Sequence, residues 1–296
     1  MPPSTNGHIP ASAPAPGRLD TPAEPLPGDP RVLVAIPTYN EEAYVVRVLR
    51  KVLRYHPHVL VIDDGSRDST PCLLPLQPVE VIRHAVNRGY GRSTMDAFRW
   101  AMVDGYDWVI TMDCDEQHEP EAIPAFMEVI RRNQFDVISG SRYLPASLGA
   151  SEDVPPENRR KINSTITREL NEKLGLGITD AFCGFKAYRV ASIRRLRLDV
   201  DGYAFPMQFW VQAAANGLRI VETPVRLIYN DPSRTFGGPL NDDAVRLAHY
   251  RDVLHRELER CAPLLAAREK ITRCVCMSSL ECSGASNTGA TGSNGK

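Results

Sequence analysis

The sequence predicts an α/β fold with a mainly parallel, doubly wound sheet flanked by helices. Short apolar runs, such as residues 31–36 and 58–62, alternate with longer segments whose apolar residues recur at helical spacing. Polar loops rich in Asp, Asn and Gly follow several of these runs. This alternation indicates βαβ units, whose crossover helices leave successive strands parallel.

The first half of the chain carries these repeats most regularly. After the first apolar run and a short loop, the segment 41–55 has apolar residues at positions 45, 49, 52 and 53, which share one helix face. A Gly-rich turn over residues 87–92 precedes another predicted helix, and residues 123–130 form the next. Strands are predicted at residues 31–36, 58–62, 79–82, 108–112 and 136–140.

The second half is less regular. Helices are predicted over residues 161–174, 207–216 and 243–265, and strands over 184–189 and within 218–227, where Pro224 interrupts the pattern. The last helix has an Arg-rich side opposite its apolar positions. Such a helix packs on its own domain more often than on a membrane surface, and peripheral membrane contact stays open.

Composition divides the chain into an arm, one domain and a tail. Residues 1–30 are rich in Pro, Ala, Ser and Gly, and residues 273–296 end in a Ser- and Gly-rich stretch, so both are expected to be disordered. Residues 31–272 form the predicted catalytic domain. Hydrophobic residues make up 43% of the full sequence, which suffices for a large core.

Charge and cysteine content exclude some classes of function. With 35 Lys and Arg against 36 Asp and Glu, no basic excess indicates a nucleic-acid partner. The 7 cysteines are odd in number and scattered, which favours free thiols in a reducing compartment. No signal peptide or membrane span is evident. We therefore expect a cytoplasmic protein.

An acidic cluster follows the predicted strand 108–112. Asp113, Asp115 and Gln117 are spaced by two, so an extended chain would point them the same way. Two carboxylates and an amide oxygen form a hard-oxygen set suited to Mg²⁺ or Mn²⁺. A solvated turn is the alternative, but ligand sites of α/β sheets lie at the carboxyl ends of strands.

Two further loops follow earlier strands and should meet the acidic cluster at the same sheet edge. They supply an aromatic ring, Tyr39, and two acceptors for a base edge, Glu41 and Asp64. Together with a metal ion, these groups suit a nucleoside diphosphate. The order and intervals of the three loops are more specific than any one of them.

Seven short motifs occur in order along the chain: Pro-Thr-Tyr-Asn-Glu from 37, Asp-Asp-Gly-Ser from 63, Asn-Arg-Gly-Tyr-Gly from 87, Asp-Cys-Asp-Glu-Gln from 113, Gly-Ser-Arg-Tyr from 140, Cys-Gly-Phe-Lys from 183 and Gly-Tyr-Ala-Phe from 202. These motifs resemble those of family 2 glycosyltransferases, and most closely the polyprenyl-phosphate (dolichyl-phosphate) mannosyl- and glucosyltransferases. The resemblance covers about residues 31–235. It implies the GT-A fold, a Rossmann-like sheet in a single catalytic domain.

The resemblance also implies a role for each matched residue. Asp115 and Arg142 would act at the reacting diphosphate, with the metal ion on Asp113, Asp115 and Gln117. The acceptor would meet Arg160, Ser164 and Lys186. The donor would be held by Pro37, Tyr39, Glu41, Ile62, Asp64, Asp113, Cys114 and Arg142.

The implied reaction moves a hexose from GDP-mannose or UDP-glucose to a polyprenyl phosphate with inversion at the anomeric carbon. A divalent ion and arginines stabilise the negative charge that develops on the leaving diphosphate. A phosphate acceptor is already ionised and needs no general base, whereas a hydroxyl acceptor does.

The sequence departs from the family at two positions. Gln208 stands where close relatives carry a Glu, and Asn230 stands where they carry an acceptor-phosphate Arg; Arg234 is the candidate substitute. Transfer to a soluble or glycan hydroxyl therefore stays an alternative, with Asp180 or Asp231 as the base. A nucleotidyltransferase is disfavoured because residues 37–41 are not a Gly-rich basic loop, and an inactive nucleotide-binding module is a further alternative.

Overall fold

The computed structural model describes residues 28–147, 156–229, 236–267 and 274–276. Within them lies one mixed sheet with helices on both faces, which confirms the predicted α/β fold. The predicted disordered arm and tail fall almost wholly outside the described residues. Among the described helices, none combines the length and hydropathy that crossing a bilayer requires.

The sheet has eight strands in the order β3-β2-β1-β4-β6-β5-β7-β8. Every strand is parallel to the others except β6, which runs antiparallel between β4 and β5. The strands are β1 (Val32–Thr38), β2 (Val59–Asp63), β3 (Glu80–Arg83), β4 (Trp108–Thr111), β5 (Val137–Ser141), β6 (Lys186–Arg189), β7 (Ile220–Pro224) and β8 (Cys274–Cys276).

Within the described ranges, eight α-helices connect or follow these strands. They are α1 (Val45–Val52), α2 (Thr70–Leu73), α3 (Tyr90–Val103), α4 (Ile123–Arg132), α5 (Glu157–Leu174), α6 (Val190–Ile193), α7 (Phe205–Ala215) and α8 (Asp243–Ala266). Every predicted strand and helix is present. The sequence pattern does not predict β8, which pairs in parallel with β7.

Some boundaries differ from the prediction for local reasons. Helix α1 begins at Val45 because the carbonyl of Glu41 accepts hydrogen bonds from the backbone N of Tyr44 and Val45, which forms a turn first. Helix α5 ends at Gly175, whose φ of 64° suits a residue without a Cβ. Pro224 ends β7 rather than interrupting it.

The sheet separates two apolar layers. Leu33 and Ala35 of β1 face the layer that contains α3, α5, α7 and α8, whereas Val34 and Ile36 face the layer that contains α1 and α4. Burial of both faces explains why the strands read as continuous apolar runs. The polar loops at the carboxyl ends of β1, β2 and β4 therefore emerge together at one edge.

Candidate active site

A cavity of about 640 Å³ opens at the carboxyl edge of the sheet. The loops after β1, β2 and β4 line it, and so do the first turns of α3 and α5 and the segment after β7. Of the predicted site residues, ten line this cavity: Pro37, Tyr39, Glu41, Asp64, Asp113, Cys114, Asp115, Gln117, Arg142 and Arg160.

Of the other four predicted residues the structure describes three, and these three are not part of this lining. Ile62 is fully buried in the apolar core, and Ser164 donates from Oγ to the carbonyl of Lys161 on its own helix at 3.0 Å. Lys186 lies in the interior strand β6, where its Nζ donates to the carbonyl of Cys183 and lies 5.5 Å from the Trp210 ring centroid. Arg234 lies outside the described residues.

The loop from Asp113 to His118 is shaped by contacts outside the cavity. Glu116 has a φ of 60° and forms salt bridges with Arg47 at 3.0 Å and Lys51 at 3.2 Å on α1. Hydrogen bonding to Arg47 lowers the pKa of Glu116. Because β4 ends at Thr111, it is this anchored loop, rather than an extended strand, that brings the two aspartates to the cavity.

His118 stabilises the same loop through a hydrogen bond to its backbone. It is buried, and its Nδ1 accepts the backbone N–H of Asp113 at 2.9 Å. Burial lowers the pKa of His118 to about 4, so the ring is neutral near pH 7. With Nδ1 accepting this bond, His118 does not donate to the Asp113 carboxylate, 3.7 Å away.

The oxygen donors at this loop fit a divalent ion whose remaining ligands would come from a diphosphate and water. Among the described residues, no three His, Cys, Asp or Glu side chains converge as metal ligands. The cavity lining at this loop offers two carboxylates, those of Asp113 and Asp115, and the amide oxygen of Gln117. Mg²⁺ typically takes one or two carboxylates and completes its shell with water and phosphate oxygens. Gly184 leaves room here, since a Cβ there would lie 2.7 Å from both Asp113 carboxylate oxygens.

Arg142 is held by Asp180, a carboxylate that the sequence analysis named only as a candidate base for a hydroxyl acceptor. Its Nε donates to Asp180 Oδ2 at 2.7 Å and its Nη2 donates to Oδ1 at 3.0 Å. Asp180 is fully buried and also accepts from the backbone N of Phe182 and Cys183, both at 3.1 Å. Opposing the effect of burial, the Arg142 charge lowers the pKa of Asp180. Among the described residues these bonds leave Nη1 of Arg142 for a ligand.

Asp64 also has firm protein partners. Its carboxylate accepts the backbone N–H of Arg88 and of Gly89, each at 2.8 Å, and Nδ1 of His84 at 2.7 Å. Nε2 of His84 in turn lies 3.1 Å from Asp96 Oδ2. Asp64 therefore shapes the turn before α3 in addition to lining the cavity.

Sequence reasoning missed the wall formed by Tyr203, Tyr229 and Phe236, called here the aromatic wall. Tyr203 packs edge-on against Phe236, with ring centroids 5.5 Å apart. The Arg159 guanidinium lies 4.8 Å from the Phe236 centroid and 5.7 Å from that of Tyr229. Arg159 precedes the buried Ile162 by three residues, and this spacing was the available signal for its inward-facing position.

The residues of α5 that line the cavity differ in part from the expected Arg160 and Ser164. Arg159 and Asn163, four residues apart, both line the cavity, as does Arg160, whereas Ser164 does not. Gln208, at the family's Glu position, is buried and binds Asp199, Val200 and Glu257 away from the cavity lining.

Comparison with known proteins supports the resemblance seen in the motifs. The family model described as glycosyl transferase family 2 matches residues 33–197. The undecaprenyl-phosphate mannosyltransferase of Micrococcus luteus is 32% identical over 232 residues, which cover 74% of this chain and 93% of the relative. The polyprenol monophosphomannose synthase of Mycolicibacterium smegmatis is 32% identical over 206 residues, covering 66% and 76%.

Solved structures share the fold at lower identity. Glucosyl-3-phosphoglycerate synthase from Mycobacterium tuberculosis, in complex with Mn²⁺, UDP-glucose and phosphoglyceric acid, matches with a TM-score of 0.59 and 17% identity, covering 79% of this chain and 80% of that one. Mannosyl-3-phosphoglycerate synthase from Rubrobacter xylanophilus matches with a TM-score of 0.57 and 15% identity, covering 81% and 77%. At these identities the likeness shows the fold alone.

Proposed function

The chain belongs to glycosyl transferase family 2 and is a glycosyltransferase of the GT-A fold, and from this we propose that it transfers a hexose from a nucleotide sugar to a polyprenyl phosphate. The observation that carries the proposal is that one cavity combines an acidic loop with an arginine-bearing aromatic wall. The first suits a nucleoside diphosphate with a cation, and the second suits a phosphate attached to an apolar chain.

The donor half uses Tyr39, Glu41, Asp113 and Asp115 in this proposal. Tyr39 is 42% exposed at the cavity, so its ring is available to stack on a base. Asp113, Asp115 and Gln117 would hold Mg²⁺ or Mn²⁺, which when bound neutralises the charge that grows on the leaving diphosphate. Arg142, fixed by Asp180, presents Nη1 to the same diphosphate without having to reorganise.

The acceptor half uses Arg159, Arg160 and the aromatic wall. Arginine binds phosphate through charge-assisted hydrogen bonds, and the aromatic rings offer apolar area to the first isoprene units. A phosphate monoester is ionised at neutral pH and attacks the anomeric carbon without a general base. Since such an acceptor is embedded in a bilayer, we place the reaction at a membrane surface, on its cytoplasmic face.

Transfer to a hydroxyl has less support from the site. It needs a carboxylate base, and Asp180 is fully buried in its bidentate pair with Arg142 and does not line the cavity. The other candidate, Asp231, lies outside the described residues. The alternative of an inactive nucleotide-binding module does not explain why two aspartates and an arginine held by a carboxylate line the same cavity.

A product assay tests the proposal. The purified chain is incubated with short-chain polyprenyl phosphate in detergent, Mn²⁺ and either GDP-mannose, UDP-glucose or UDP-GlcNAc, and lipid products are identified by mass spectrometry. The relatives named as mannosyltransferases make GDP-mannose the first donor to test. We expect a polyprenyl phosphohexose with the wild type and none with Asp115→Asn or with EDTA. Absence of lipid product with every donor would refute the acceptor assignment.

A further inference from the structure

Glu257 is a buried carboxylate on α8 that is not part of the cavity lining. It is 3% exposed and accepts a hydrogen bond from Gln208 Nε2 at 2.9 Å and another from Gln212 Nε2, both on α7. Arg260 Nη1 lies 3.4 Å from the same carboxylate. Each Glu257 oxygen thus receives an amide donor, and α8 is joined to α7 by buried polar bonds.

Gln208 extends this connection to the segment 199–203. Its Oε1 accepts the backbone N–H of Asp199 at 2.8 Å and of Val200 at 3.0 Å. Its Nε2 donates to Asp199 Oδ1 at 2.7 Å as well as to Glu257. The amide is therefore fully used, and its orientation follows from having two N–H donors on one side and two carboxylates on the other.

The segment 199–203 is in close contact with the first turn of α3. The carbonyl of Asp201 accepts the backbone N–H of Arg92 at 2.9 Å. A Cβ on Gly89 would lie 2.6 Å from that carbonyl oxygen, and one on Gly91 would lie 2.1 Å from the carbonyl oxygen of Val200. A shift of this segment toward α3 must therefore move the start of that helix.

Both of these elements form part of the cavity. Gly89, Tyr90 and Ser93 of the α3 turn line it, and so does Tyr203, whose ring stacks on that of Tyr90 with centroids 6.5 Å apart. Hydrogen bonds thus run from Glu257 through Gln208 to Asp199 and Val200, and on from Asp201 to Arg92.

We propose that Glu257 is a positioning residue for the substrate cavity: through Gln208 it sets the place of Tyr203 and of the first turn of α3. The step that connects Glu257 to nucleotide affinity rests on the proposed function, which assigns this cavity to a nucleotide sugar. Removing one carboxylate oxygen acceptor leaves two amide donors, from Gln208 and Gln212, competing for one oxygen. One of the two amides must then turn away, and when it is Gln208 the amide that holds Asp199 and Val200 loses its carboxylate partner on α8.

The test compares Glu257→Gln with Glu259→Gln, an exposed glutamate two residues along the same helix. Arg260→Gln, which removes the 3.0 Å contact with Asp199, is a milder second variant in case Glu257→Gln does not fold. Hydrogen exchange by mass spectrometry reports the segment 199–203 and residues 89–93. Calorimetry with GDP and with UDP in Mn²⁺ reports binding.

We expect faster exchange in both segments and binding weaker by about tenfold in Glu257→Gln, the size of one lost buried hydrogen bond, with no change in Glu259→Gln. Gln208→Glu should be worse, since it brings a carboxylate against both Glu257 and Asp199, and adding Glu257→Gln to it should recover part of the loss. Exchange that is unchanged in folded Glu257→Gln or Arg260→Gln overturns the inference. If the wild type binds nucleotide, equal nucleotide affinity in folded Glu257→Gln overturns it as well. A wild type that binds neither nucleotide refutes the proposed function instead, and the exchange result still decides the inference.

Discussion

Arg142 and Asp180 form a bidentate ion pair at the wall of the cavity, with N–O distances of 2.7 and 3.0 Å. Asp180 comes from the segment before β6, and Arg142 follows directly on β5. Because the carboxylate is fully buried and takes three backbone donors, from Arg142, Phe182 and Cys183, the guanidinium has a fixed direction. The arginine that the motif suggested is thus oriented by a partner 38 residues away.

Asp180→Asn should therefore impair both stability and transfer. Leaving the partly buried Arg142 guanidinium without its partner costs up to about 3–5 kcal/mol, the cost of breaking a fully buried pair, and is measurable by urea unfolding. The double variant Arg142→Gln with Asp180→Asn removes both charges and should recover stability but not transfer. Recovery of transfer in the double variant would show that Arg142 has no part in the reaction.

Gly184→Ala tests the acidic site without removing a ligand. The added methyl group would meet both carboxylate oxygens of Asp113 at 2.7 Å, and the flexible Asp113 side chain must then move. We expect Mn²⁺-dependent nucleotide binding and transfer to fall by roughly 100-fold, the effect of an approximately 1 Å misplacement. The thermal midpoint, which should change little, is the control. Normal transfer would mean that the position of Asp113 is not important.

Arg159→Gln should raise the KM for polyprenyl phosphate by roughly 10- to 100-fold, because a charge-assisted hydrogen bond contributes about 1.5–3 kcal/mol. The KM for the nucleotide sugar should change little. Arg168→Gln is the matched control, since Arg168 lies on the same helix, is exposed and pairs with Glu172 at 3.8 Å. An effect on the donor KM alone would place Arg159 on the donor side.

His56 should make stability depend on pH. Its Nε2 donates to the carbonyl of Val32 at 2.8 Å, and burial lowers its pKa below the ordinary value near 6.5. As pH falls below about 6.5 the unfolded chain binds a proton that the folded chain does not, so stability decreases by up to about 1.4 kcal/mol per pH unit. The loss ends below the folded-state pKa.

The control for that prediction is His56→Gln, which retains an N–H donor toward Val32 but does not titrate. Denaturant unfolding of both proteins between pH 7 and pH 5, roughly the range about the ordinary histidine pKa, gives the comparison. Parallel curves for the wild type and the variant would contradict the assignment to His56.

The sequence was informative wherever short-range pattern decides structure. Alternating apolar runs predicted the strands, and the polar loops after β1, β2 and β4 predicted a shared edge, where ten of the fourteen named site residues now lie. The antiparallel strand β6 could not be foreseen, because an apolar run does not record the direction of its neighbours. Lys186, expected near the acceptor, lies in this strand between β4 and β5.

What the sequence by itself determined is the family, the α/β fold and the acidic loop with the two polar loops beside it, because these depend on local periodicity and on compact motifs. Tertiary structure decided which side of α5 faces the cavity, that Asp180 holds Arg142, and that Glu257 is joined through Gln208 to Asp199 and Val200. These relationships join residues far apart along the chain. Only the packing of helices and strands sets such distances, and no spacing in the sequence encodes them.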